Sequence, residues 1–167
     1  MTGLVTSARR ANEQIRSVKE APLARDVALL VVRIGLAWIF IYHGAGTLFG
    51  AFGQPGIHGH AVFFATVAHL HPGTFFAVLS GIIEFFGGLA VGVGILGRLA
   101  AAGLVGDMVI AMVTVTWHNG IVSNASGSGY EINVALIALA TVIVIMGTGR
   151  FSLDVVLRDR LGPWRTP

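Results

Sequence analysis

Four long apolar blocks, at roughly 27–49, 73–96, 98–119 and 131–149, decide what this chain can become. Crossing a hydrocarbon core of about 30 Å takes about 20 helical residues, and each block is near that length. Strands are a poor alternative, because lipid leaves every backbone polar group to be satisfied internally and a four-stranded barrel cannot close. The blocks therefore predict an all-α integral membrane protein, an antiparallel bundle of four transmembrane helices. Composition agrees: 54% of the 167 residues are hydrophobic and 11% are charged, which is not the balance of a soluble domain.

The blocks divide the chain into a basic N-terminal segment (1–26), the membrane bundle (27–149) and a tail (150–167). Residues 1–26 are polar, and the first block runs far longer than the core of a signal peptide with no small-residue cleavage site after it. It reads as an anchor that stays. Between blocks two and three only Gly97-Arg98 intervenes, so those helices form a hairpin. The segment 50–72 is longer and carries Pro55, Pro72 and several glycines as turn signals. In the tail, Leu153, Val156, Leu157 and Leu161 recur at helical spacing against Asp154, Arg158, Asp159 and Arg160. That pattern predicts a short amphipathic helix on the membrane surface, or else a frayed extension of helix four.

Charge sets a direction. All 11 Lys and Arg residues fall in three places: Arg9, Arg10, Arg16, Lys19, Arg25 and Arg33 at the first helix, Arg98 in the hairpin turn, and Arg150, Arg158, Arg160 and Arg165 after the fourth. The positive-inside rule then puts both termini in the cytoplasm of a multi-pass cell-membrane protein. A net charge of +3 is met by anionic lipid headgroups, with no need of nucleic acid. Histidine has the opposite bias: His43, His58, His60, His69, His71 and His118 all fall towards the outer face.

Two acids interrupt the apolar blocks. Glu84 and Asp107 each lie about 15 Å from a helix end at 1.5 Å per residue, so both sit near the midplane. A carboxylate in hydrocarbon is costly, so it turns inward, finds a partner or stays protonated. Ser80, Glu84, Gly88 and Gly92 follow one another every fourth residue, and Gly103, Asp107 and Ala111 repeat the pattern on the third helix. Small residues of this kind let helices approach closely. The functional reading is a polar seam, with Arg33 inside, Glu84 and Asp107 midway, and His43, His118 and Glu131 outside. It could relay protons to a quinone or another small molecule. Interhelical hydrogen bonding that merely fixes the packing is the competing account.

Cysteine is absent from the sequence, which removes disulfides, thiolate metal sites, iron–sulfur clusters and thiol relays. Redox chemistry here needs a quinone, another bound cofactor or a partner protein. The pairs His58/His60 and His69/His71 offer imidazoles to a divalent metal, but no His-x-x-x-His spacing and no nearby carboxylate supports them, and solvated loop histidines explain them better. Haem between His43 and His118 has no attachment motif behind it. Gly87-Gly88, Gly92, Gly94 and Gly97 lack the lysine and strand-to-helix context of a phosphate loop.

The order of these landmarks resembles the DoxX family of small membrane proteins. The matching stretches are Arg33-Ile-Gly, His43-Gly44 with Leu48-Phe49-Gly50, Glu84 with Gly87-Gly88, Gly97-Arg98-Leu99-Ala100-Ala101, His118, Tyr130-Glu131, and Gly147-Thr-Gly-Arg-Phe-Ser-Leu-Asp154. The resemblance spans about residues 27–155. It implies a four-helix membrane protein linked to quinone-coupled oxidation of sulfur compounds such as thiosulfate, and to redox stress. The family commonly has a lysine soon after the helix-one His-Gly, where this chain carries Thr47. On this reading Glu84, His118, His43, Asp107 and Glu131 are the candidate catalytic residues, and Arg33 and Tyr130 the candidate contacts to a quinone. A soluble redox protein or a homo- or hetero-oligomer would complete the system. A non-catalytic scaffold for redox enzymes and a small-solute transporter are the alternatives; the latter would need oligomerisation, as no internal repeat is apparent.

Overall fold

In the computed structural model, residues 2–123 and 127–161 are described, with side chains described over 22–123 and 127–157. The fold is all-α. Helix α1 runs Thr2–Phe49, α2 Gly56–Thr66, α3 Gly73–Val93, α4 Gly97–Ala111, α5 Glu131–Met146 and α6 Leu153–Leu161. Helix α4 continues through a π-helical turn at Met112–Thr116 and a 3-10 turn at Trp117–Asn119. Three stretches, Pro22–Phe49, Gly73–Val93 and Gly97–Asn119, are long and apolar enough to cross a membrane. Their outward faces carry exposed Val31, Ile34, Trp38, Phe86 and Val113, a surface that only hydrocarbon suits. The chain is an integral membrane protein in contact with the bilayer.

Helix α1 packs along α3, α3 on α4, and α4 on α5, while α2 lies on α3 and touches α1. The core follows these seams through Leu29, Leu36, Phe40, Val91, Leu104 and Ile143. The small-residue stripe expected on the second membrane block forms the α1–α3 seam. Gly88 meets Phe40 and Ile41 of α1, and Gly92 meets Ala37. Gly44 of α1 answers from the other side, where a Cβ would run into the backbone of Phe85.

Two boundaries differ from the sequence reading for physical reasons. The block expected over 73–96 ends as a helix at Val93, because Gly94 adopts φ 77° and its N–H closes on the Ala90 carbonyl at 2.8 Å, a glycine-terminated helix end. The fourth block, expected to 149, ends at Met146 because Gly147 turns at φ 80°. At 1.5 Å per residue α5 spans about 24 Å, shorter than the three long stretches. Segment 50–72 is also more ordered than its turn signals imply, since α2 occupies its centre.

The residues freed at 147–152 wrap around Arg33, which is 1% exposed. Its Nε donates to the Val91 carbonyl at 2.8 Å and Nη2 to Gly92 at 2.6 Å. Its Nη1 donates to Thr148 at 2.9 Å and Phe151 at 2.6 Å. Val91 and Gly92 belong to the last turn of α3, whose carbonyls have no helical partner and whose dipole end is negative. Arg33 therefore caps α3 and pins the loop after α5. Nearby, Asp26, 4% exposed, accepts from the Arg150 backbone N–H and pairs with the Arg150 side chain at 3.2 Å. Asp154 accepts the N–H of Leu96 at 3.1 Å, and its own N–H donates to Gly94 at 3.0 Å. Arg98 donates to the Ile145 carbonyl at the end of α5 at 3.2 Å. The arginine-rich end of the molecule is a cross-linked plate. The side chains of Arg158, Asp159, Arg160 and Leu161 in the expected amphipathic tail lie outside the described residues.

Candidate functional site

A cavity of about 180 Å³ opens where α1, α2, α3 and α4 meet. Its polar lining comes from His43 and Thr47 of α1, His60 of α2, Ser80 and Glu84 of α3, and Asp107 and Thr116 of α4 and its continuation. Phe63, Phe64, Met108 and Ile110 supply apolar walls. Glu84, Asp107 and Ser80 face the same space. His43 of α1 and His60 of α2 line it as well. Two acids, two imidazoles and three hydroxyls thus converge in an otherwise apolar site, a constellation suited to holding and passing protons.

Local sequence explains the convergence. Ser80 and Glu84 are one helical turn apart and share a face of α3, as do His43 and Thr47 on α1. The π turn at Met112–Thr116 adds a residue to one turn of α4 and widens it, bringing Ala111, Val115 and Thr116 onto the cavity, and such bulges recur at functional sites. Thr116 is fixed from behind by Asn133 of α5, its hydroxyl donating to the Asn133 Oδ1 at 3.1 Å. His60 is held by a ring hydrogen bond between Nδ1 and the Gly56 carbonyl at 2.9 Å. With Nδ1 donating, the ring presents Nε2 as its free acceptor.

The other expected site residues lie elsewhere. Arg33 is occupied by four carbonyls at the arginine-rich end. His118 is exposed in the 3-10 turn that ends the α4 stretch, and it lines none of the cavities described here. Tyr130 stacks on Trp117 with ring centroids 5.2 Å apart. Glu131 accepts from both the N–H and the hydroxyl of Ser123 at 3.2 Å, closing the loop before α5. The four loop histidines also separate. His58 and His60 lie two residues apart on α2, a spacing that does not share a helix face, and only His60 reaches the cavity. Among the described residues no three of His, Asp and Glu form a group able to hold a metal ion. The sequence reading did not place His60 with the acids, and a histidine within a short apolar segment beside two intramembrane carboxylates is the signal that would have done so.

A family model for DoxX matches residues 28–117, more than half of the chain. The chain belongs to the DoxX family. No curated protein and no solved structure matches it. The matched segment of this DoxX protein carries His43, Thr47, His60, Ser80, Glu84, Asp107 and Thr116, the whole polar lining of the cavity, and ends before His118, Tyr130 and Glu131.

Proposed function

We propose that this DoxX protein is the membrane subunit of a quinone-linked oxidoreductase, with the His43–His60–Glu84–Asp107 cavity as its quinone head site. The observation that carries the reading is the meeting of two intramembrane acids with two histidines in one cavity of a membrane-embedded fold. Converting a quinone to a quinol takes two electrons and two protons. Glu84 and Asp107 deliver the protons, and His43 and His60 replenish them from the outer side. The Ser80 hydroxyl and the protonated carboxyls of Glu84 and Asp107 donate to the quinone carbonyls, Nε2 of His60 accepts from the quinol hydroxyl, and Phe63, Phe64 and Met108 flank the ring. This donor set fits a neutral, planar, carbonyl-bearing molecule.

The electrons come from oxidation of a sulfur compound such as thiosulfate, the chemistry the family resemblance implies. Without cysteine the chain forms no persulfide, so the sulfur step belongs to a soluble redox protein that passes its electrons to the bound quinone. On this reading α5 completes a four-helix bundle in the cell membrane, with both termini cytoplasmic. The test is extraction of the protein purified in mild detergent, followed by mass spectrometry of the lipid fraction. Quinone retained by the wild type and depleted in Glu84→Gln supports the head site; quinone absent from both removes it.

A further inference from the structure

We propose that the groove between α3 and α4 seats the apolar chain of the substrate, which reaches the polar cavity sideways from the bilayer. The ligand class is therefore an amphiphile with a neutral hydrogen-bonding head and one flexible apolar chain. The inference deepens the head-site reading above and rests on it.

A second cavity of about 180 Å³ adjoins the first and shares Phe64, Ser80, Asp107 and Ile110 with it. Beyond Asp107 its walls are apolar, formed by Phe76, Leu79, Ile83, Gly103 and Gly106. Leu79, Gly106 and Ile110 are exposed on the flank of the molecule, so the groove opens towards lipid. Either cavity alone falls below the roughly 300 Å³ of a small-molecule site. Joined, they offer a polar chamber with an apolar side arm.

The glycines of this arm behave unlike those at the α1–α3 seam. A Cβ on Gly106 would meet nothing within 4 Å, and one on Gly103 would meet only the Ile83 Cγ2 at 3.7 Å. Glycine inside a helix costs about 1 kcal/mol relative to alanine, and among the described residues nothing fills the space beside Gly106. What the two glycines leave is room beside Asp107. A second copy packed on this face would close the side arm, whereas a chain lying in it keeps the head chamber continuous with lipid. The two acids in the chamber disfavour an anionic head, which fits a neutral one.

The test compares wild type, Gly106→Leu and Gly35→Leu in nanodiscs of one lipid composition. Gly35 is also exposed, with nothing within 4 Å of its Cβ position, but it lies on α1 away from the groove. It controls for adding a leucine to the lipid-facing surface. The probes are decylubiquinone and its chain-free dimethoxy-dimethyl-benzoquinone counterpart, and the readout is each Kd. Because both proteins see the same bilayer, membrane partitioning cancels in the mutant-to-wild-type ratio. Gly106→Leu is expected to weaken the decyl ligand by about tenfold or more and the chain-free ligand by less than about twofold. Gly35→Leu is expected to change neither. Equal ratios for the two ligands overturn the side arm while leaving the head site standing. Failure of the wild type to bind either quinone overturns both, and a change of oligomeric state in Gly106→Leu assigns the face to a second copy instead.

Discussion

Glu84 on α3 and Asp107 on α4, the two arms of one hairpin, line a single cavity. Their pairing follows from the hairpin that joins the two helices and from small residues that leave space at that depth. Two acids lining one cavity inside a membrane are placed to hold and pass protons. The arginine-rich end is built differently, and the variants that follow separate its structural role from the cavity's.

Replacing Arg33 tests the plate. Arg33→Lys keeps a charge but loses the fork that reaches four carbonyls, and each carbonyl left without a donor costs about 1–3 kcal/mol. The expected loss is at least about 3 kcal/mol, measured by reversible unfolding in mixed micelles. Arg150→Ala, whose side chain is 60% exposed, should cost about 1 kcal/mol or less. Equal losses for the two would remove the special standing given to Arg33.

Glycine substitutions test the α1–α3 seam. Gly44→Ala places a methyl group against the Phe85 backbone and Gly88→Ala places one against Phe40 and Ile41. Each should destabilise by about 1–3 kcal/mol, the usual cost of overpacking. Gly35→Ala meets open space and should be neutral or stabilising by up to about 1 kcal/mol. Thermal denaturation of the three variants in one detergent ranks them directly.

The absence of cysteine makes the chain suited to topology mapping. Single variants His58→Cys and Ser123→Cys should react with a membrane-impermeant maleimide on intact cells. Leu99→Cys, at a position 71% exposed just after the α3–α4 turn, should react only after the cells are opened. The reverse pattern would invert the proposed orientation.

What could be read from sequence was whatever depends on long-range composition and helical period. Length and hydropathy pointed to four spans, three of which are long and apolar enough to cross a membrane, and fourfold spacing marked the faces of Glu84 and Asp107. The setting of Arg33 was not legible, because its partners are backbone carbonyls of residues 91, 92, 148 and 151. Backbone acceptors leave no residue-type signature. The same holds for the π turn, which arises within an unremarkable Met-Val-Thr-Val-Thr run. Asn133, 5% exposed and bonded to Thr116, was visible as a polar residue in an apolar block but has no partner at helical spacing to point to. Helix α2 was hidden by its glycines and flanking prolines, which mark its ends and not its centre.

Turnover in the acid variants tests the central claim most directly. The protein is reconstituted in proteoliposomes with the proposed soluble electron donor, and quinone reduction is followed optically in wild type, Glu84→Gln and Asp107→Asn. If the cavity supplies protons to the quinone, the rate in Glu84→Gln should fall by about a hundredfold or more, within the range for loss of a general acid, with unfolding behaviour unchanged. Rates within about twofold of wild type in both variants would contradict the account and leave the two acids as packing residues.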